Sequence, residues 1–217
     1  MNAVDTAAIA RLLQPYISLD EHRLRLTSTY IDILLKWNAR VNLTAVRSPE
    51  EIVRRHFGES FFAARILLSE RPPRRVIDLG SGAGFPGLPF AMLMPEARIT
   101  LIEAQKKKGT FLKEVVFALG LRNVDVYGDL GEDYGERADL VTMRAVERFE
   151  NALPIAVGLA EEGGRVALMI GASQVSEAQR LAEEVEWHPP VPVPGGHSRI
   201  LLVGTIKVKV GPESRIR

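Results

Sequence analysis

A glycine-rich segment follows the first predicted strand of the chain and opens a predicted helix. Residues 76–89 read VIDLGSGAGFPGLP, with glycines at Gly80, Gly82, Gly84 and Gly87. Glycine has no Cβ, so the backbone at these positions can approach a ligand closely. In an open α/β sheet, a turn of this kind lies at the carboxyl ends of the strands, where ligands bind. The segment therefore predicts a nucleotide-type site formed largely by backbone groups.

The acidic residue Asp78 distinguishes two ligands that such a loop could bind. Gly82-x-Gly84-x-x-Gly87 matches the dinucleotide fingerprint. Asp78-x-Gly80-x-Gly82-x-Gly84 instead resembles the first motif of S-adenosylmethionine (SAM)-dependent methyltransferases. A pyrophosphate is favoured by free N–H groups at a helix N-terminus and is repelled by a carboxylate at the mouth of the site. SAM carries an ammonium and a sulfonium, so we favour SAM over NAD.

Three further residues lie at the ends of predicted strands and could contact a nucleoside. Glu103 ends the second strand, where its carboxylate can accept hydrogen bonds from both ribose hydroxyls. A carboxylate at this position could bind the ribose of NAD or of SAM, so it does not distinguish between them. Gly131 and Glu132 follow the third strand, where an adenine would be contacted.

Two parts of the chain differ in their hydrophobic pattern. After Pro72-Pro73, short β-branched or aliphatic segments alternate with helical ones, which predicts a parallel sheet with right-handed crossovers. The predicted strands are residues 75–79, 99–103, 124–127, 138–143, 165–170 and 198–209, and the predicted helices between them are 87–93, 107–119, 147–160 and 174–186. Before the prolines, helices are predicted at residues 4–14, 20–37 and 49–69. We expect an N-terminal helical extension, residues 1–72, and an α/β domain, residues 73–217.

Composition excludes several classes of protein. The 217 residues include no Cys, which excludes disulfides, thiolate metal sites and a Cys nucleophile. No apolar segment approaches the ~20 residues of a membrane span, and the N-terminus is not a signal peptide. We therefore expect a cytoplasmic protein. Residues 1–75 contain four more Lys and Arg than Asp and Glu, which permits an anionic partner there.

Several motifs occur in a fixed order between about residue 20 and residue 170. They are WNARVNLTAV at 37–46, RRH at 54–56, DLGSGAGFPGLP at 78–89, residues 107–112, and MRA at 143–145. Together they resemble the RsmG (GidB) family, which are bacterial methyltransferases of small-subunit ribosomal RNA. The resemblance implies a Rossmann-like class I SAM-dependent methyltransferase sheet, mostly parallel with its last strand antiparallel. It also implies SAM as methyl donor and methylation at N7 of a guanine in 16S rRNA.

The resemblance also implies roles for individual residues. Gly80, Phe85, Gly131, Glu132 and Arg144 would be cofactor-site residues, and Glu103 would hold the ribose. Asp78, Gly82 and Gly84 belong to the cofactor site through the glycine motif.

Other polar residues are candidates for contacts with RNA. Arg144 follows the fourth strand, so it could recognise guanine or bind the SAM carboxylate, and we favour the cofactor side. Asn42 and His56 are candidates for holding the guanine, although Asn42 could equally end a helix and His56 could be structural. Arg54, Lys106 and Lys107 are candidates for the phosphates. The two lysines lie at a predicted helix N-terminus, where cations are unfavourable without an anionic partner.

The proposed target atom determines which catalytic groups are needed. Guanine N7 is a lone-pair nucleophile that carries no proton, so orientation contributes most of the rate and no general base is required. We expect 16S rRNA or a precursor of the small ribosomal subunit as partner, no membrane, no metal ion and a monomer. A SAM-dependent methyltransferase of another RNA site or of a small molecule remains an alternative. An NAD(P)-dependent oxidoreductase is less favoured, because no proton-relay Tyr, Lys or His stands out after the fourth or fifth strand.

Isothermal titration calorimetry tests the choice between the two cofactors. SAM and S-adenosylhomocysteine should bind, whereas NAD should give no heat of binding, because the carboxylate of Asp78 disfavours a pyrophosphate. Binding of NAD with a strength similar to that of SAM would overturn the assignment.

Overall fold

A mixed sheet of eight strands forms the centre of the protein in the computed structural model, which describes residues 4–145, 148–196 and 198–208. The strands are β1 Arg75–Leu79, β2 Arg98–Ile102, β3 Val124–Tyr127, β4 Ala138–Arg144, β5 Ala160–Gly171, β6 Val185–Trp187, β7 Val191–Pro192 and β8 Arg199–Ile206. Their order is β3-β2-β1-β4-β5-β8-β6, and β7 pairs with β8. Strands β1 to β5 are parallel, and β8 is antiparallel to its neighbours. Because β1 lies between β2 and β4, the strand order reverses there, at the position where open α/β sheets bind ligands.

Helices cover both faces of this sheet. They are α1 Thr6–Leu13, α2 Glu21–Asn38, α3 Pro49–Glu51, α4 Glu59–Glu70, α5 Gly87–Leu93, α6 Lys106–Leu119, α7 Phe149–Gly158 and α8 Val175–Leu181, with a π-helical segment at Ile52–Gly58. Side-chain caps define where several of them begin. Asp5 accepts a hydrogen bond from Ala8 N, and Asp20 accepts one from Arg23 N at 2.8 Å.

The two faces of the sheet have separate hydrophobic clusters. Residues such as Val76 and Leu101 pack with α1, α2, the π-helical segment, α4, α5 and α6, whereas Ile77 and Val141 pack with α7 and α8. The first cluster includes the fully buried Tyr30 of α2, so the N-terminal helices share one core with the sheet. A division at residue 72 remains a prediction.

The predicted fold class is confirmed, with local corrections. The helix expected over residues 174–186 ends at Leu181, and Val185–Trp187 forms β6, which pairs with β8. That correction depends on β8, a partner distant in the sequence, which local periodicity does not reveal. Strand β5 also begins at residue 160 rather than 165. Residues 147 and 209, where the sequence predicted a helix start and a strand end, lie outside the described residues.

Two glycines of the loop differ in their surroundings: Gly84 is closely packed, whereas Gly82 borders open space. Both Gly82 (φ +56°) and Gly84 (φ +84°) have left-handed backbones. A Cβ at Gly84 would overlap the Tyr30 hydroxyl and Leu88 Cδ1, whereas a Cβ at Gly82 would meet nothing closer than Gly80 O at 3.8 Å.

We therefore expect Gly84→Ala to lower the free energy of unfolding by about 1–3 kcal/mol more than Gly82→Ala, because only Gly84→Ala adds overpacking to the backbone strain. Chemical denaturation of both variants measures the difference. Equal losses would contradict the packing assigned to Gly84, since the two substitutions share the cost of positive φ.

Candidate active site

A cavity of about 350 Å³ lies at the carboxyl edge of β1, β2 and β4. Its walls are formed by the glycine loop, by the ends of β2 and β4, and by the segment that follows α2. The lining residues are Leu43, Thr44, His56, Gly80, Ser81, Gly82, Ala83, Phe85, Glu103, Gln105, Lys108, Arg144, Ala145 and Arg199. This is the position that the strand order predicts for a ligand.

The buried carboxylate of Glu103 fixes the glycine loop against the end of β2. One oxygen accepts a hydrogen bond from Gly82 N at 2.9 Å, and the other accepts one from Gln105 N at 2.8 Å. Gly80 N and Ser81 N both donate to the carbonyl of Ile102 at 3.0 Å. These bonds present Glu103 and the loop backbone together on one wall of the cavity.

Asp78 lies beneath the loop rather than at the mouth of the site. Its carboxylate accepts hydrogen bonds from Gly87 N at 3.1 Å and from Thr142 Oγ1 at 2.8 Å, and its side chain does not line the cavity. Burial raises the pKa of Asp78 to about 6. Ionised Asp78 therefore stabilises the first turn of α5 through a backbone N–H, and its charge lies close behind the loop.

A buried ion-pair network joins the N-terminal helices to the sheet. Glu59, at the start of α4, accepts a hydrogen bond from Arg144 Nη2 at 2.9 Å and lies 3.3 Å from Arg199 Nε. Arg144 Nη2 also donates to the carbonyl of Arg55 at 2.7 Å. Burial raises the pKa of Glu59 and lowers that of Arg144 to about 10, so Arg144 is still charged at neutral pH. Two arginine side chains of the cavity wall are thus held by one carboxylate.

His56 enters the cavity from the π-helical segment. The distance between its Nε2 and Thr44 Oγ1 is 2.8 Å, and its ring centroid lies 5.0 Å from that of Phe85. Its Nδ1 has no hydrogen-bond partner among the residues that the structure describes. Burial, followed by the charge of Arg144, lowers the pKa of His56 to about 3. The imidazole is therefore neutral under physiological conditions.

The structure brings together six of the predicted site residues and leaves eight outside the cavity. Gly80, Gly82, Phe85, Glu103, Arg144 and His56 line it, whereas Asp78, Gly84, Gly131, Glu132, Asn42, Arg54, Lys106 and Lys107 do not. Gly131 and Glu132 begin a 3₁₀ turn between β3 and β4, and Gly131 packs under Leu79. Asn42, Arg54, Lys106 and Lys107 are exposed.

Sequence reasoning missed several residues that form the site. Lys108, not Lys106 or Lys107, lines the cavity, which the period of α6 could have indicated. Asn38, rather than Asn42, organises the segment after α2, since its side chain bonds Leu43 N, Thr44 N and the carbonyl of Thr44. Glu59 and Arg199 carry no local signal, because they meet only in the folded chain.

The residues that line the cavity fit SAM in the polar groups and the open space that they offer. A Cβ at Gly82 would project into space that contains no side chain, and Glu103 is a buried carboxylate on the cavity wall. The buried Nε of Arg144 and Nδ1 of His56 have no hydrogen-bond partner within the described residues. A polar ligand in the cavity offers the partners that buried groups of this kind normally have.

Fold and site together define a class I SAM-dependent methyltransferase. A family model described as GidB, rRNA small subunit methyltransferase G, matches residues 23–194. The chain therefore belongs to the GidB family, which confirms the resemblance found in the sequence.

Individual relatives agree with this assignment. Ribosomal RNA small subunit methyltransferase G of Roseiflexus castenholzii is 38% identical, covering 90% of this chain and 87% of the relative. The protein of the same name from Chloroflexus aggregans is 36% identical, covering 90% of this chain and 86% of the relative. A crystal structure of a SAM dependent methyltransferase from Aquifex aeolicus gives a TM-score of 0.56 at 18% identity, covering 66% of this chain and 89% of that one, which supports the fold. Within the described part of the chain, none of the helices combines the length and apolar character needed to cross a bilayer.

The pKa of His56 gives a prediction that can be checked by NMR. Because burial penalises the imidazolium, the ring should stay neutral from about pH 8 to pH 5 and take up a proton only near its pKa of about 3. Imidazole nitrogen shifts assigned with His56→Gln measure this directly. A titration midpoint near 6.5 would contradict the buried, neutral state.

The lowered pKa of His56 should make the folded protein less stable in acid. The unfolded chain takes up a proton on His56 as pH falls through about 6.5, whereas the folded chain does not. This group therefore contributes stability above that pH and loses it in acid, and the loss should be absent in His56→Gln.

Proposed function

We propose that this protein transfers a methyl group from SAM to N7 of a guanine in 16S ribosomal RNA. The observation that carries the proposal is the absence of an available general base among the described residues that line the cavity. His56 is a weak base, because its pKa is about 3, and the carboxylate of Glu103 accepts two backbone N–H bonds and, in this proposal, is also occupied by the ribose. The other titratable lining residues, Lys108, Arg144 and Arg199, are cationic in type.

A site without a base suits a nucleophile that has no proton to lose. Guanine N7 is such a nucleophile, whereas an exocyclic amine or a ribose hydroxyl must be deprotonated during transfer. When bound, SAM supplies an electrophilic methyl group on its sulfonium. The residues of this chain then have to align the base and exclude water, which is how orientation contributes to rate.

Some of the proposed cofactor residues would contact SAM, and the others would support the residues that do. Gly80, Gly82, Phe85, Glu103 and Arg144 would contact SAM, because they line the cavity. In this proposal Glu103 binds the ribose hydroxyls, and Arg144 binds the carboxylate of SAM. The residues assigned to the site that lie outside the cavity would support it: Asp78 and Gly84 from beneath the loop, and Gly131 and Glu132 from the end of β3.

The proposed RNA residues comprise one that lines the cavity and four that are exposed outside it. His56 would contact the guanine, since its ring faces Phe85 inside the cavity. Arg54, Lys106 and Lys107 are exposed cations that would contact phosphates, and Asn42 is exposed on the neighbouring segment. We extend the set to Lys108 and Arg199, which line the cavity. We infer a cytoplasmic monomer that acts on 16S rRNA or on a precursor of the small subunit.

Methylation of 16S rRNA in vitro tests the proposal. The purified protein and labelled SAM should modify small-subunit RNA or particles from a strain that lacks this activity, at one guanine. Reduction followed by aniline cleavage identifies N7-methylguanosine, and mass analysis of nuclease fragments gives the site. Glu103→Ala should weaken SAM binding by roughly 1.5–3 kcal/mol, as expected for a lost hydrogen bond to a charged group.

The pH dependence of a single turnover tests whether a base with a pKa near neutrality takes part in methyl transfer. With saturating SAM, the chemical rate should be nearly flat through the neutral range, because no base has to be freed. A one-proton slope near neutrality that His56→Gln abolishes would mean that a base acts and that N7 is not the target. Failure to label either naked 16S rRNA or small-subunit particles would refute the RNA substrate.

A further inference from the structure

A second cavity of about 380 Å³ lies beside the active site, between the end of α1, the π-helical segment and the loop before β8. Its polar lining consists of Tyr16, Glu51, Arg54, Arg55 and Glu59. None of these residues lines the first cavity. Only Arg54 among them was a candidate from the sequence.

Tyr16 places an unpartnered hydroxyl in this cavity. Its residue surface is 8% exposed, and its ring packs with Phe62 and Val193. Gly58 makes the position possible, because a Cβ there would lie 2.7 Å from the Tyr16 ring. Because the hydroxyl is not one of the fully buried polar atoms of the described residues, it is open to the cavity, and it has no hydrogen-bond partner there. A ligand that accepts a hydrogen bond would supply one.

The charges around the cavity favour an anion. The side chains of Arg54 and Arg55 are exposed and make neither an ion pair nor a hydrogen bond within the residues that the structure describes. The carboxylate of Glu59 is already paired with Arg144 and Arg199. Because Arg144 and Arg199 compensate Glu59, the remaining charges of the lining are those of Arg54, Arg55 and Glu51, which leave one net positive charge.

Glu59 lies between the two cavities. It lines the second cavity, while its partners Arg144 and Arg199 line the first. The two ion pairs of Glu59, with Arg144 at 2.9 Å and with Arg199 at 3.3 Å, therefore lie between the cavities. An RNA strand carries a phosphate on each side of every nucleotide, so a base in the first cavity brings a neighbouring phosphate close to the second.

We propose that the second cavity binds a backbone phosphate of the RNA substrate beside the target nucleotide, with the Tyr16 hydroxyl and the guanidinium groups of Arg54 and Arg55 as donors. The inference rests on the proposed function and adds Tyr16 and Arg55 to it. Planar guanidinium groups match the geometry of a phosphate, and a phenol hydroxyl completes the donor set. Contacts of this type position the strand without reading its sequence.

Steady-state kinetics on 16S rRNA at several salt concentrations test the proposal with Tyr16→Phe and Arg55→Gln. Tyr16→Phe removes only a hydroxyl that has no protein partner, so it should fold normally. Each variant should raise KM for RNA about tenfold, as for one lost charge-assisted hydrogen bond. Arg55→Gln should also reduce the slope of log KM against log salt by about 0.7, the value for one single-strand phosphate contact. Calorimetry should give an unchanged Kd for SAM.

Arg180→Gln is the matched control, because Arg180 is also an exposed arginine and lies in the last turn of α8, outside both cavities. It should leave KM and the salt slope unchanged. If both test variants keep the wild-type KM for RNA and the wild-type salt slope, the phosphate site is overturned while the proposed function stands. The same holds if a variant loses as much affinity for SAM as for RNA. If the wild-type protein methylates no RNA, the proposed function fails, and the phosphate site fails with it.

Discussion

The buried carboxylate of Asp78 connects the elements on which the active site depends. From the end of β1 it accepts hydrogen bonds from Thr142 of β4 and from the backbone of Gly87 at the start of α5. The loop between β1 and α5 is therefore held at both ends from below, which leaves its upper face to the cavity. A carboxylate without these donors would be costly to bury, so the loop and the acid stabilise each other.

The N-terminal helices contribute to the site as well as to the core. Glu59 at the start of α4 holds Arg144 of β4 and Arg199 of β8, and the π-helical segment before it carries His56 into the cavity. Removing one partner from such a buried network leaves an uncompensated charge. Segments of π-helix are frequent at functional sites because they redirect side chains locally. Here residues of the π-helical segment line both cavities.

Much of the fold could be predicted because its signals are local. The period change after Pro72-Pro73 and the strand–glycine–helix pattern at residues 76–89 indicated the parallel sheet and its ligand edge. The local pattern predicts the end of a helix where β6 lies, since only pairing with β8 makes Val185–Trp187 extended. The motif positions Gly80, Gly82, Phe85 and Glu103 line the cavity, because a loop after β1 and a residue after β2 must meet at a switch point.

The sequence by itself determined the fold class, the family resemblance and the cofactor loop, because each depends on residues close together along the chain. Tertiary structure alone decided that Asp78 lies beneath the loop, that Lys108 rather than its two neighbours lines the cavity, and that His56 is neutral. It also brought Glu59, Arg144 and Arg199 together from three distant segments. The physical reason is that burial and ion pairing depend on which surfaces meet, and separations of 55 to 140 residues leave no periodic signal in a sequence.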